Sequence, residues 1–251
     1  MEWADEGIVL SVRKHGERAV IAMLLTPSHG RHAGLVRGGS GRRLSGALQV
    51  GNRLQVNWPA LLPDHLGNFN CELSEARSAT VLHDAHRLAG FSAAASLLER
   101  ALPEREPQLE VYAGFDAVLG KIASASDWPA TYVRWEIDLL RELGFGLDLS
   151  VCAVTGGKED LAYVSPRSGR AVGRHAAGEY RDRLLPLPRF LTAGGPRDVA
   201  PAVEIAAGLT LSGYFLEQHV LHSSSSPRMP AARLRLLDIF QRETTKSSNI
   251  L

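Results

Sequence analysis

Cysteine is nearly missing from this chain: two in 251 residues, Cys71 and Cys152. Two thiols cannot build a disulfide framework, so a reduced, cytoplasmic compartment is the expectation. Long apolar runs are missing as well. No segment approaches the roughly 18 to 20 apolar residues of a membrane span. The opening MEWADEGIVL is acidic and lacks an apolar stretch, so neither a secretory leader nor a membrane association is expected. Proline and glycine stay below the levels of disordered chains, and 251 residues suffice for one domain or two.

The motifs of catalysis are also absent. There is no Gly-x-Ser-x-Gly elbow for a serine hydrolase. Thr155-Gly156-Gly157-Lys158 resembles the end of a phosphate loop, but Cys152 stands where that loop needs a glycine. Gly144-Phe145-Gly146 lacks the third glycine of a dinucleotide fingerprint. Three histidine pairs, His29/His32, His83/His86 and His219/His222, have the spacing of one helical face, yet none has a third ligand at a recognisable offset. The carboxylates are scattered. These absences lead us to expect a protein that is not an enzyme and holds no cofactor and no metal.

What the chain does have is segregated charge. Between Arg13 and Arg53 lie Arg13, Lys14, Arg18, Arg31, Arg37, Arg42, Arg43 and Arg53, against the single carboxylate Glu17. The whole chain is only +1, so the remainder is net acidic. A basic face on a near-neutral protein is the footprint of a polyanion binder. His29 and His32 fall within this stretch and read as neighbours of phosphate. Its charges alternate with a strand pattern, which sets it apart from a disordered basic tail.

Apolar alternation predicts strands over residues 7–13, 18–26, 31–37, 51–59 and 67–79, with a short helical turn at 44–49 and a loop around Pro63 and His65. Gly38, Gly39 and Gly41 mark a flexible loop bearing Arg42 and Arg43. Five short strands at this spacing suggest a small barrel, and an OB-fold is the first candidate. From His83 the period becomes helical. Helices are expected up to Pro103, then over 109–123, 130–143, 199–221 and 231–241, with a polar break at Ser223–Pro227. The expected organisation is α+β: an OB-fold barrel over 1–80, then a helical domain over 81–251. Trp3, Trp58, Phe69 and Tyr112 are the candidates for stacking on bases, and Trp58, at a strand end beside Pro59, is favoured. Arg134 and Arg141 flank the apolar face of one helix and could receive an acidic, hydrophobic peptide.

Between residues 145 and 173 sits an insert with two short turns, Cys152-Ala153-Val154-Thr155 and Ser165-Pro166-Arg167-Ser168. Two Cys-x-x-Cys turns in these places would make a four-cysteine zinc site. Three of the four positions carry hydroxyls instead, so a ribbon held by packing and hydrogen bonds is expected.

Taken together, six pieces resemble the RecO family of DNA repair proteins, in order and over nearly the whole length. They are EGIVLSVRKHGE, LLTPSHGRHAGLVRGG, LQVGN, WEIDLLRELGFGLDLSVCAVTG, LAYVSPRSGRAV and RLRLLDIFQRETTKSSNIL. The resemblance implies an OB-fold followed by a helical domain, with a four-cysteine zinc knuckle in many members, from which this chain departs at Thr155, Ser165 and Ser168. It further implies a recombination mediator that binds single- and double-stranded DNA and anneals complementary strands. Such a mediator joins RecR, and helps load RecA onto strands coated with single-stranded-DNA-binding protein, whose acidic C-terminal tail the helical domain binds. On this reading Arg13, Lys14, Arg18, Arg31, His32, Arg37, Arg42, Arg43 and Trp58 contact DNA, while Arg134 and Arg141 serve the tail. The alternatives are a nuclease-type enzyme that docks through the barrel, and an RNA-binding OB-fold module.

The hydroxyls at three knuckle positions carry a direct consequence. Elemental analysis of the purified protein is expected to find no stoichiometric zinc, and a chelator should leave the melting temperature unchanged. About one zinc per chain would overturn this.

Overall fold

The computed structural model describes residues 2–60, 65–195, 199–222 and 228–248. Pro63 and the expected polar break Ser223–Pro227 lie outside the described residues. By its contacts the chain divides into two compact units, Met1–Ala123 and Ser124–Leu251. The change from strand to helix period near Val81 therefore falls inside the first unit, not at its edge.

The first unit begins with strands β1 (Glu2–His15), β2 (Ala19–Thr26) and β3 (Gly30–Val36), then helix α1 (Arg42–Ala47) and strands β4 (Arg53–Pro59) and β5 (Asn70–Glu75). The sheet order is β3-β2-β1-β4-β5, all neighbours antiparallel. β1 is long enough to serve two partners: residues 2–8 pair with β4 and residues 8–15 with β2, with an irregularity between Val9 and Ser11. A bulge of this kind bends a strand and lets a sheet coil. Closure comes from β3, where Leu35 donates to the carbonyl of Gly67 at 3.1 Å and accepts from Phe69 at 2.8 Å. Gly34 makes that approach possible, because a Cβ there would meet the Phe69 ring at 2.3 Å.

Inside, Val9, Val20, Ala22, Leu24, Val36, Leu54 and Val56 pack with Ala47 and Leu48, so α1 seals one end of the barrel. Asn52 secures that plug. Its side-chain amide donates to the carbonyls of Gly46 and Ala47, and its oxygen accepts from the backbone of Ser78. Those two carbonyls belong to the helix end that has no partners of its own. The last predicted strand ran too far: residues 77–81 form helix α2 (Arg77–Val81). Helix α3 (Ala85–Ala101) starts at Asp84, whose carboxylate accepts from the backbone of His86 and Arg87. Helix α4 (Leu109–Ser124) follows.

At the other end of the barrel an aromatic cluster forms from cross-strand pairing. Trp3 lies opposite Trp58, with ring centroids 5.5 Å apart, and His29 stacks on Trp3 at 4.0 Å. His32 sits edge-on to Trp58 at 4.7 Å and to Trp3 at 5.1 Å. Trp58 and His32, expected at the DNA surface, are core residues, 2 % and 3 % exposed. The Trp58 indole donates to the carbonyl of Leu66 at 3.0 Å, and neither ring nitrogen of His32 has a partner among the described residues.

In the second unit, helices α5 (Trp128–Glu142), α6 (Ala202–Phe215) and α7 (Ala231–Ser248) pack together, α6 touching both others. Helix α6 continues into a π-helical turn, Leu216–Leu221. A buried charge pair locks the three helices. Arg233 of α7 binds Glu136 of α5 at 2.8 Å and the carbonyl of Leu209 in α6 at 2.7 Å, and the Ser212 hydroxyl donates to Glu136. Both charged side chains are almost wholly buried. Between α5 and α6 lies a small sheet of β6 (Leu161–Val164), β7 (Ala171–Gly173) and β8 (Leu185–Pro186), in the order β7-β6-β8.

The insert's two turns share one geometry. Gly156 donates to the carbonyl of Cys152 and Gly169 to that of Ser165, each at 2.9 Å, and both glycines have positive φ, 72° and 65°. The residues do not fit zinc, however. Thr155, Ser165 and Ser168 offer no thiolate, and no group of three or more His, Cys, Asp or Glu that could hold a metal occurs among the described residues. Burial works against the Cys152 thiolate, but the Thr155 hydroxyl and the backbone N–H of Gly173 hold the thiol down to about 7.

Two measurements follow from the buried groups. Burial, with Arg105 and His29 nearby, lowers the His32 pKa from 6.5 to about 4, so the unfolded chain takes up this proton first. Stability associated with neutral His32 is complete above pH 6.5 and is lost as pH falls toward 4. His32→Phe is expected to reduce the difference between urea midpoints at pH 7 and pH 5; an unchanged difference counts against it. For the charge pair, Arg233→Met should cost about 3–5 kcal/mol by leaving Glu136 unpaired, while adding Glu136→Leu should recover much of that loss. Equal loss in the single and double variants would show that packing, not the stranded charge, sets the cost.

Candidate nucleic-acid interface

Six of the eight cations in the basic stretch gather around the β1–β2 hairpin and the segment that leads from the end of β3 into α1. Arg13 and Lys14 end β1, opposite Ile21 and Val20, and Val20 in turn pairs with Val36 at the end of β3. Arg18 lies in the β1–β2 turn, Arg37 follows β3, and Arg42 and Arg43 open α1. All six are exposed. None lies within ion-pair distance of a carboxylate among the described residues.

The loop between Arg37 and Arg42 is less free than its glycines suggested. Ser40 donates through its backbone to the carbonyl of Arg18 and through its hydroxyl to that of Glu17, both at 3.4 Å. Gly39 lies against Val20, and a Cβ there would meet the Val20 side chain at 2.5 Å. The loop and the hairpin turn thus form one basic ridge. Beside it a groove of about 930 Å³ runs along the seam between β3 and β5, with Arg37, Arg43, Asn68, Asn70 and Glu72 on its walls. Cys71 also lines the groove, and burial pushes its thiol up to about 12.

The other two cations are occupied. Arg31 donates to the carbonyl of Leu102 at 2.8 Å and pairs with Glu104 at 3.3 Å. It starts β3, roughly 20 Å along an extended strand from Arg37. Arg53 binds Asp116, which Arg77 also contacts at 2.6 Å, while Arg77 reaches Glu75 at 2.7 Å. Of the residues expected on DNA, the structure brings together Arg13, Lys14, Arg18, Arg37, Arg42 and Arg43, and sets Arg31, His32 and Trp58 apart.

In the second unit Arg134 of α5 is half-buried. Its guanidinium lies over the Phe190 ring, 5.3 Å from the centroid, and donates to the Phe190 carbonyl at 3.2 Å. It borders a pocket of about 670 Å³ that includes Ile137, Leu147, Phe190 and Leu191. Arg141 lies two turns on, 65 % exposed, and pairs with Asp138 at 2.8 Å and Glu142 at 3.5 Å. The pocket itself was not legible beforehand, because Phe190 and Leu191 join it from a distant short helical turn, Arg189–Leu191.

Comparison with known proteins follows this layout. The family model "Recombination protein O N terminal" matches residues 1–77, and "Recombination protein O C terminal" matches residues 82–228. Similar curated proteins include the DNA repair protein RecO of Rhodospirillum rubrum, 50 % identical over 248 residues, covering 96 % of this chain and 97 % of the relative. That of Rhodospirillum centenum is 47 % identical over 98 % of both chains, and that of a Jannaschia species 45 % identical over 99 % and 100 %. With both halves matched and identity sustained from end to end, the chain belongs to the RecO family.

Proposed function

We propose that this chain acts in DNA repair as a recombination mediator. It binds single- and double-stranded DNA, anneals complementary strands, and works with RecR to load RecA onto strands coated with single-stranded-DNA-binding protein. Its place is the cytoplasm, at the nucleoid when DNA-bound; no described helix is long and apolar enough to cross a membrane. Family membership supports the repair role. The observation that carries DNA binding is the ridge of six exposed cations without carboxylate partners among the described residues.

Two phosphate backbones repel unless cations lie between them, and binding to such cations releases condensed counterions. Arg13, Lys14, Arg18, Arg37, Arg42 and Arg43 supply that neutralisation with no internal pair to break first. The adjoining groove offers a path for a single strand. The role read here is the binding and alignment of strands. In the second unit, the acidic, hydrophobic tail of single-stranded-DNA-binding protein would take Arg134 with the apolar side chains Ile137, Leu147 and Phe190 beside it, and would lie away from Asp127 and Asp138, which line the same pocket. Arg141 contributes less, since Asp138 and Glu142 already answer its charge.

Single-strand affinity should fall with salt at a log–log slope of roughly −3 to −4, about −0.7 for each phosphate neutralised. Arg42→Ala with Arg43→Ala should reduce its magnitude by about 1 to 1.5. Arg42→Glu with Arg43→Glu should slow annealing of naked strands and spare the tail peptide, and Arg134→Glu with Arg141→Glu should do the reverse. Melting temperature serves as the folding control. A slope indifferent to the ridge removes it as the DNA surface, and equal damage to both activities in folded protein removes the two-surface reading. Preference for an RNA strand over a matched DNA strand would favour an RNA-binding module.

A further inference from the structure

A second basic cluster starts in the insert and continues past its end at residue 173, more than a hundred residues beyond the ridge in sequence. From residue 165 to 189 the chain carries Arg167, Arg170, Arg174, Arg181, Arg183 and Arg189 against Glu179 and Asp182. This excess stands out because the chain beyond the first basic stretch is otherwise acidic.

The small sheet collects part of it. β6 pairs with β7 on one side and β8 on the other, placing Val164 beside both Ala171 and Leu185. The β6–β7 turn with Arg167 and the approach to β8 with Arg183 therefore meet at one end of the sheet. Between β7 and β8 a 3-10 segment, His175–Arg183, packs its Ala177 against Tyr163 and Val172, with Arg181 lying 6.0 Å from the Tyr163 ring centroid.

The arginines divide in the same way as those of the barrel. Arg170 faces Asp148 at 3.6 Å and Arg174 faces Asp160 at 3.2 Å. Arg167, Arg181 and Arg183 are exposed and have no carboxylate within ion-pair distance among the described residues, Glu179 and Asp182 included. Tyr180 stands among them at 66 % exposure, whereas Tyr163 beneath is 9 % exposed. An exposed phenol ring in the same segment as guanidinium groups without carboxylate partners matches single-stranded nucleic acid, whose phosphates take the cations and whose bases stack on the ring. A purely acidic peptide would use the charges but not the ring.

We propose that Arg167, Tyr180, Arg181 and Arg183 form a second strand-binding surface, separate from the barrel ridge. The ligand class rests on the reading of the chain as a DNA-binding protein, but the residues are independent of the ridge. Two surfaces on one chain would let it hold two strands at once, a requirement for annealing.

The test uses the full chain and a labelled oligothymidylate over a range of salt. Four forms are compared: unaltered, Arg42→Ala/Arg43→Ala, Arg167→Ala/Arg183→Ala, and all four changes together. The insert pair is expected to lower the slope magnitude by about 1.4, or 0.7 for each lost contact, and the combined form by the sum of both pairs. Annealing of complementary strands should fall further than binding of one strand. An unaltered slope in the insert variant, beside a reduced slope in the ridge variant, overturns the second surface and leaves the ridge standing. No change in either variant removes both. Cross-linking of the unaltered protein to a 5-iodouracil oligonucleotide avoids any folding artefact. Cross-links at Tyr180 are expected, and cross-links confined to the barrel count against the proposal. If a polyglutamate peptide loses affinity for the insert variant while the oligonucleotide slope holds, the surface belongs to a protein partner and the proposal fails.

Discussion

The double pairing of β1 governs the first unit. One strand gives its first half to β4 and its second half to β2, so its ends lie at opposite ends of the barrel. Trp3 at one end finds Trp58, and the same register brings in His29, His32 and Phe69 as an apolar cap. Arg13 and Lys14 at the other end have no such company. The hairpin turn and the loop before α1 add Arg18, Arg37, Arg42 and Arg43 beside them. Where one strand changes partners thus separates the Trp3–Trp58 pair from Arg13 and Lys14, while Phe69 reaches the groove that Arg37 and Arg43 also line.

That separation explains what could be read without the structure. Strand period, helix period and the excess of basic residues are local or additive properties, so the five strands, the main helices and the segregation of basic charge were legible. Which end of a strand a residue occupies is not local. Arg31 and Arg37 both lie in or beside β3 and both looked like DNA contacts, yet Arg31 is held by Leu102 and Glu104. His32 and Trp58 misled for a related reason. An aromatic or histidine at a strand end can turn outward or join a cross-strand cluster, and only the register decides. The strand predicted to reach Ala79 ended early because Arg77 is drawn to Asp116 and Glu75, and the backbone there turns helical.

The insert shows the opposite failure. Its two knuckle-like turns drew attention to zinc, and the arginines around them entered no sequence-based expectation. Arg167 and Arg183 are sixteen residues apart and meet only because β6 has a partner on each side. No window short enough to reveal periodicity would pair them. The two knuckle-like turns persist without a ligand set because their backbone bonds and positive-φ glycines close each turn unaided.

Charge partnering is what distinguishes structural from available arginines throughout. Arg31, Arg53, Arg77 and Arg233 have given up their hydration to carboxylates or carbonyls, and in Arg233 the exchange is nearly complete. Recruiting any of them to a phosphate would first require breaking a bond that holds the fold. An exposed guanidinium with no carboxylate loses only loosely held water and counterions when a phosphate arrives, and the released counterions favour the exchange. A chain that is almost neutral overall can therefore still present strong local attraction. Carboxylates such as Asp116 and Glu136 are taken up by the arginines that shape the fold, while the exposed arginines of the ridge have no carboxylate partner among the described residues.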